Sequence, residues 1–367
     1  RLADYPDLKL SSVKDHYALF LRVTMKEPAF ANQAKSRLTT SLYARDITNL
    51  VGGEDDNYTR GKRFVAPLKE ALLERVAKLK RDCLRSTLKE STVRRGTKAP
   101  DLGSKYHEAP YAGTKHMAAC SLVVAEGHSA KTLGQRLASL APANTILKGG
   151  YVFDSKHVGT LALKGKPPNV TKFLKGNHTK AMSKFSSNDE LQALVASLGL
   201  DVGKAKTYES LAEKTTPKSL ASAKRSAGLR YGQVLVMTDQ DEDGWHIRGL
   251  VLNLFRELFP ALLSIGYVQL MITPSYVVMA QNKTHFFYTR QEYEDGLPLI
   301  EGRKITQYNK GLGSISQEVR PMLAANVGGM LRTYDNVENS FKVLHKWLHP
   351  DETEARKHAP MVSPNLN

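Results

Sequence analysis

Four carboxylates are the residues best placed to do chemistry in this 367-residue chain: Glu126, and the run Asp239, Asp241 and Asp243. Glu126 closes the apolar run Leu122-Val123-Val124-Ala125, and Asp239 follows Val234-Leu235-Val236-Met237-Thr238. In nearly extended chain, residues i and i+2 point to the same side, so Asp239 and Asp241 can face one ion while Gln240 turns away. Carboxylate oxygens are hard donors, and a few of them beside a phosphate suit Mg2+ rather than zinc. Asp-x-Asp-x-Asp-Gly also opens a calcium-binding loop. Counting Asp239 as the first position puts Gly244 correctly at the sixth, but Leu250 falls at the twelfth, where a bidentate Glu is required. The remaining alternative is that these acids only cap the helix that follows.

The elements that must position these groups read as two strand-turn-helix units. In the first, Ala119-Cys120-Ser121-Leu122-Val123-Val124-Ala125 runs into Glu126-Gly127, and Ser129-Ala130-Lys131 starts a helix. In the second, the strand Val234 to Met237 leads through the aspartates into an amphipathic helix carrying Ile247, Leu250, Val251, Leu254 and Leu258. Repeated units of this kind specify an α/β fold with a parallel sheet, in which ligands bind at the carboxyl ends of the strands, so the two acidic segments are expected to converge. A third strand is predicted over Val268-Gln-Leu-Met-Ile-Thr-Pro-Ser-Tyr-Val-Val-Met279. The polar stretch Gly203 to Ser226 reads as a weakly packed insertion or linker, and the tail from His349 as irregular. From Pro67 the apolar positions Leu68, Leu72, Val76, Leu79, Cys83 and Leu84 describe another amphipathic helix.

Composition narrows the function classes. Fifty-three Lys+Arg against 36 Asp+Glu give a formal net charge of +17, which points to a polyanionic partner, most often nucleic acid. Thirteen Lys/Arg and four Asp/Glu lie between Arg60 and Lys98, so this one segment carries over half of the excess, either as a phosphate-facing helix or as a solvated face. Two cysteines, Cys83 and Cys120, exclude a disulfide framework and a four-thiolate zinc site, and make a reducing, intracellular compartment the default. The longest apolar stretch, Leu258 to Ile272, contains Pro260, Gly266 and Gln269 and is too short for a membrane span, so no membrane partner is expected.

Several motifs in register carry a resemblance that spacing alone does not supply. Ala125-Glu126-Gly127-x-Ser129-Ala130-Lys131, taken with Met237-Thr238-Asp239-Gln240-Asp241-x-Asp243-Gly244-x-His246-Ile247-x-Gly249, resembles the metal-binding TOPRIM domain of type IIA DNA topoisomerases in its eukaryotic form. Leu163-Lys164-Gly165-Lys166 with Asn169-Val170, Leu229-Arg230-Tyr231-Gly232, Ile272-Thr273-Pro274 and Lys310-Gly311-Leu312-Gly313 are similar to further family segments in the same order. Upstream, Pro28-Ala29-Phe30 and Gln33-Ala34-Lys35 resemble the end of the transducer domain.

The resemblance implies a TOPRIM Rossmann-like parallel sheet flanked by helices, preceded by an α+β transducer remnant with a long basic helix. The expected divisions are a transducer-like remnant at 1–52, a basic helix and connection at 53–116, a TOPRIM-like domain at 117–348 with an insertion near 171–226, and a tail at 349–367. It implies that Glu126 is the general acid/base and shares Mg2+ binding with Asp239, Asp241 and Asp243. Lys164, Lys166, His246, Arg248 and Lys310 become contacts to the nucleic-acid backbone. Lys35 corresponds to a lysine that reaches ATP phosphates. The family's nucleotide-binding domain and its winged-helix domain with the nucleophilic Tyr match nothing in this sequence, so Lys35 is expected to be a relic and ATP is not an expected cofactor. Tyr334 falls too early to be that nucleophile.

Three departures lie close to the acids: His128 stands where the family has Asp, Trp245 where it has Ser, and Leu137-Ala-Ser-Leu-Ala-Pro-Ala-Asn-Thr-Ile-Leu-Lys-Gly-Gly150 replaces a Gly-rich stretch. Two functions follow. One is a TOPRIM module that binds nucleic acid and Mg2+ and joins in DNA strand breakage and rejoining only when other chains complete it. The other is a non-catalytic descendant, recruited as a structural RNA- and protein-binding subunit of a large ribonucleoprotein such as a mitochondrial ribosome. DNA is the partner by resemblance, with RNA and other protein subunits open, and the nucleus or the mitochondrion as the compartment.

Overall fold

The computed structural model describes residues 28–31, 38–40, 102–175, 188–201, 204–214 and 216–333. The predicted helix from Pro67, Lys35, Tyr334 and the tail lie outside the described residues. The chain divides into two compact units, Arg1–Cys83 and Leu84–Asn367. In the first unit, Phe30 and Leu38 form an isolated antiparallel bridge, and the Ala29 N–H donates to Thr40 Oγ1 at 2.8 Å.

The second unit is built on a six-stranded sheet. Its strands are β1 (Tyr106–His107), β2 (Ser121–Glu126), β5 (Val158–Leu163), β6 (Gln233–Met237), β7 (Val268–Met271) and β11 (Leu331–Thr333), in the spatial order β1-β5-β2-β6-β7-β11. The four central strands β5, β2, β6 and β7 are parallel, and both edge strands are antiparallel. A two-stranded hairpin, β3 (Ile146–Leu147) with β4 (Tyr151–Val152), follows the first helix. A three-stranded antiparallel sheet, β10-β8-β9, is formed by β8 (Tyr276–Ala280), β9 (Lys283–Phe287) and β10 (Lys304–Tyr308).

The helices are α1 (Gly127–Leu140), α2 (Val170–Lys175), α3 (Asp189–Leu198), α4 (Ala205–Glu209), α5 (Pro217–Ser226), α6 (Glu242–Leu258), α7 (Pro260–Ser264), α8 (Arg290–Gly296) and α9 (Arg320–Ala325). A sheet covered on both faces needs unbroken apolar strands, and β2 shows why. Leu122 and Val124 join a cluster with Leu194 of α3 and Val251 and Leu254 of α6, while Val123 and Ala125 join a second cluster with Leu133 and Leu137 of α1 and Leu323 of α9. The structure is therefore three-layered and mixed α/β, with a parallel-dominated sheet. Among the described residues no helix is long and apolar enough to cross a membrane.

Two expectations are corrected. The predicted strand 268–279 is two strands in two different sheets, because Pro274 lacks the N–H a continuous ladder needs. The stretch 203–226 is not weakly packed: Tyr208 and Leu211 are buried in the main core, and Lys224 is buried with Nζ donating to Gly232 O at 2.8 Å and to Tyr151 Oη at 3.1 Å. Thr216 and Ser219 close a capping box around Pro217 at the start of α5, a local signal that the polar composition obscured.

Candidate active site at the carboxyl ends of two parallel strands

From β2 the chain passes through α1 to β5 on one side, then crosses to β6 on the other side of β2. The strand order therefore reverses between β2 and β6, and ligands of open α/β sheets bind at such a switch point, outside the carboxyl ends. Ala125 pairs with Met237, so Glu126 and the Thr238–Asp239 segment leave adjacent strands side by side. Gly127, at φ +77°, makes the turn into α1 in a conformation that favours glycine. Gly244 lets α6 begin against the sheet, because a Cβ there would sit 2.1 Å from the Asp239 carbonyl oxygen.

The structure brings Glu126, Asp239, Asp241 and Asp243 to one corner. Asp239 Oδ1 accepts from the Leu312 N–H at 2.7 Å, and Gly311 lies so close that its Cβ would be 3.0 Å from Oδ2, so the Lys310-Gly-Leu-Gly loop fixes this carboxylate. Asp241 is the N-cap of α6 and accepts from Gly244 N at 2.8 Å through Oδ1, so the capping alternative holds for this one acid. Gln240 does turn away, and its Nε2 donates to the Thr273 carbonyl. Asp243 pairs with Lys166, Nζ to Oδ1 at 2.6 Å, which holds its carboxyl below the ordinary range. These bonds leave Oδ2 of each aspartate outside them.

Glu126 differs from the aspartates. Its Oε2 is buried and has no hydrogen-bond partner among the described residues. Burial, then the charges of Asp239 and Asp241 and more weakly Asp243, push its pKa up, against a lowering backbone hydrogen bond from Asp239. A carboxyl raised by desolvation and like charge is suited to carrying a proton.

Arg248 was expected on a phosphate and is found elsewhere. It is buried, with Nε donating to Thr238 Oγ1 at 2.7 Å and one terminal nitrogen donating to the Thr238 and Asp239 carbonyls at 3.0 and 3.1 Å. Burial lowers its pKa to about 10, while Glu126, Asp241 and Asp239 pull it back up. Arg248 is thus an internal counter-charge beneath the cluster. Its place one turn inside an otherwise apolar helix face, between Ile247 and Leu250 to Val251, was the signal available in the sequence. Lys164, Lys166, His246 and Lys310 are exposed, and the Lys164 backbone N–H donates to Glu190 Oε2 at 2.9 Å. His128 is exposed in the first turn of α1, which contains no acid, and Trp245 is 38% exposed in the first turn of α6. Cys120 is buried and its thiol is pushed up to about 12, so it takes no part.

Residues 121–271, from the first residue of β2 to the last of β7, match the family model described as the Toprim domain. This is a Toprim domain, and the chain is a homologue of type II DNA topoisomerases. It is 31% identical over 310 residues to a probable DNA topoisomerase 2 of Dictyostelium discoideum, covering 84% of this chain and 18% of that protein. It is 29% identical over 353 residues to DNA topoisomerase 2 of Saccharomyces cerevisiae, covering 92% of this chain and 20% of that one. The Plasmodium falciparum topoisomerase II DNA-binding, cleavage and re-ligation domain superposes with a TM-score of 0.55 at 25% identity, over 71% of this chain and 31% of that one. The chain spans about a fifth of the length of the relatives it matches. The Toprim match covers β2, β6 and the whole acidic run, so the corner with the orphaned Glu126 oxygen lies within it.

Proposed function

We propose that this chain supplies the acidic half of a DNA strand-breaking and rejoining centre, with Mg2+ as its cofactor. The buried, unpartnered Oε2 of Glu126, held among three aspartates at the switch point, carries the reading. Buried polar atoms without partners are uncommon and call for an explanation. The donor set fits Mg2+: all four groups are carboxylates, and their mutual repulsion is relieved by a cation. Among the described residues no group of three or more His, Cys, Asp or Glu is already gathered as a metal cage, which agrees with the usual habit of Mg2+ of taking one or two carboxylates and completing its shell with water and phosphate oxygens. When bound, the ion stabilises negative charge developing on the scissile phosphate.

The chain's own residues supply the rest. Glu126 gives a proton to the departing 3′ oxygen and takes it back on rejoining. Asp239 is oriented by the Leu312 N–H and Asp241 by the Gly244 N–H, so both carboxylates are held in place and would be the ones to hold the ion. Lys164, Lys166, His246 and Lys310 line the exposed rim and hold backbone phosphates, which positions DNA without reading its sequence. Arg248 keeps the acids together from below. The attacking hydroxyl comes from residues other than those of this site, and the topoisomerase relatives favour this reading over recruitment into a ribonucleoprotein.

The test is relaxation of supercoiled DNA by the chain joined to the remaining domains of a topoisomerase 2 relative. Relaxation is expected, with Glu126→Gln slowing it about 10²–10⁴-fold. A fusion that folds, binds DNA and shows no relaxation in Mg2+ sinks the proposal.

A further inference from the structure

The three-stranded sheet carries an aromatic row that the acidic site does not use. Phe287, Tyr276 and Tyr308 lie opposite one another across β9, β8 and β10. Tyr293 of α8 stacks on Tyr276 with ring centroids 4.3 Å apart and planes within 10°, and Phe287 meets Tyr293 edge-on at 5.8 Å. Tyr308 ends the row, 5.0 Å from Tyr276, and is 59% exposed on a strand with no partner on its outer side among the described residues. A ring this exposed contributes little to the core, yet its position is fixed: Asn309, next in the chain, donates from its backbone N–H to Ser275 O at 2.8 Å and from Nδ2 to Pro274 O at 3.1 Å.

The row is tied to the acidic corner at two points. Four residues beyond Tyr308, the Leu312 N–H holds Asp239, and three residues before Tyr276 begins β8, the Thr273 carbonyl accepts from Gln240. Four residues span at most about 14 Å, so Tyr308 lies within a few nucleotides of the carboxylates. Between Glu301 and Glu318 the charged residues are Arg303, Lys304 and Lys310, while Glu292 and Glu294 flank Tyr293. Lys310 is exposed between the ring and the cluster.

We infer that Tyr308, backed by Tyr276 and Tyr293, is a stacking face for an unpaired nucleobase next to the strand break. This rests on the proposed function, since the reacting phosphate lies at Glu126 and Asp239. A rigid aromatic face beside cations is how single-stranded nucleic acid is held without sequence preference, because every base has a π-face.

The experiment uses the full chain with two DNA probes, a duplex carrying 2-aminopurine in a short single-stranded overhang and the same duplex fully paired. Overhang binding is expected to quench the 2-aminopurine. Tyr308→Ala should weaken overhang binding about fivefold or more and abolish the quench, while Tyr308→Phe retains both and paired-duplex affinity is unchanged. Tyr308→Val, which preserves strand propensity, must repeat the alanine result. Unchanged overhang affinity in the alanine and valine variants overturns the stacking face and leaves the proposed function standing. An equal loss on both probes makes Tyr308 a general backbone contact and overturns it too, as does loss of self-association with DNA binding intact. If the parent chain binds neither probe, both readings fail.

Discussion

At the amino end of the parallel strands, Gln233 donates through Nε2 to Ser121 Oγ at 2.8 Å, and Gln269 donates to Gln233 Oε1 at 3.0 Å. Tyr267 Oη donates to Tyr231 O at 3.1 Å, and the Tyr231 hydroxyl meets Tyr106 Oη at 2.8 Å and accepts from Ala109 N. At the carboxyl end of the same strands, Glu126 keeps an oxygen with no partner, and like charges stand close together. Each neutral bond at the amino end adds about 1 kcal/mol to stability. The carboxyl end gives some stability up, because its carboxylates raise one another's energy, and among the described residues Arg248, Lys166 and, more weakly, His246 offset them. A fold that ties one end of its sheet together with neutral hydrogen bonds can leave the other end short of positive charge, and that shortage is what a cation or a phosphate-bound cation relieves.

The largest effects come from glycines that let backbone approach at the two ends. A Cβ at Gly232 would stand 2.1 Å from Ala118 O at the amino end, and one at Gly244 2.1 Å from Asp239 O at the carboxyl end. Gly232→Ala and Gly244→Ala should each lose about 3 kcal/mol or more in urea denaturation. Only Gly244→Ala should also weaken Mn2+ binding, since it displaces Asp239 and Asp241. Equal weakening in Gly232→Ala would remove the distinction between the ends.

Next is Lys224, a cation buried at the amino end. Burial lowers Lys224 to about 8 from 10.5. The unfolded chain therefore binds the proton more tightly, so the Lys224 contribution to stability should rise as pH increases from about 8 to 10.5, by no more than about 3 kcal/mol, and above about 9 the raised Cys120 thiol works against it. Lys224→Met should flatten that rise. A Met variant with the same slope as the parent between about pH 8 and 9 contradicts the assignment.

The smallest effect is at Lys166, whose pair with Asp243 is exposed. Lys166→Met should leave the melting temperature unchanged and tighten Mn2+ binding by less than about fivefold, because exposed pairs contribute little. Lys164→Met, which removes the same charge without breaking a side-chain pair, should tighten it less. Identical changes in the two variants would mean that only the general field matters.

Much of this contrast was legible in the sequence, at one end more than the other. The apolar runs into Glu126 and Asp239 gave β2 and β6, the 3.6-residue spacing from Ile247 to Leu258 gave α6, and together they placed the acids at one corner. The strand β5 was not recognised, because Gly159, Thr160 and Ala162 make a weak apolar run. Gly159 is there for packing: a Cβ would lie 2.2 Å from the Tyr231 hydroxyl. Arg248 read as a phosphate-facing charge, and Lys224 lay in a polar stretch read as weakly packed, because local composition cannot show which cations find buried carbonyls. The corner in which Tyr308 sits depends on pairing between β8 and β10, separated by 23 residues of intervening chain that include α8, and no local pattern specifies that.

Mn2+ binding to the isolated chain, followed by electron paramagnetic resonance with Mg2+ as competitor, tests the central claim most directly. The orphaned Glu126 oxygen and the oriented aspartates predict one Mg2+-displaceable site, weakened at least about tenfold in Glu126→Gln and in Asp239→Asn and kept in Tyr231→Phe at the opposite end of the sheet. Parent and both carboxylate variants binding with the same affinity, or not binding at all, would contradict it.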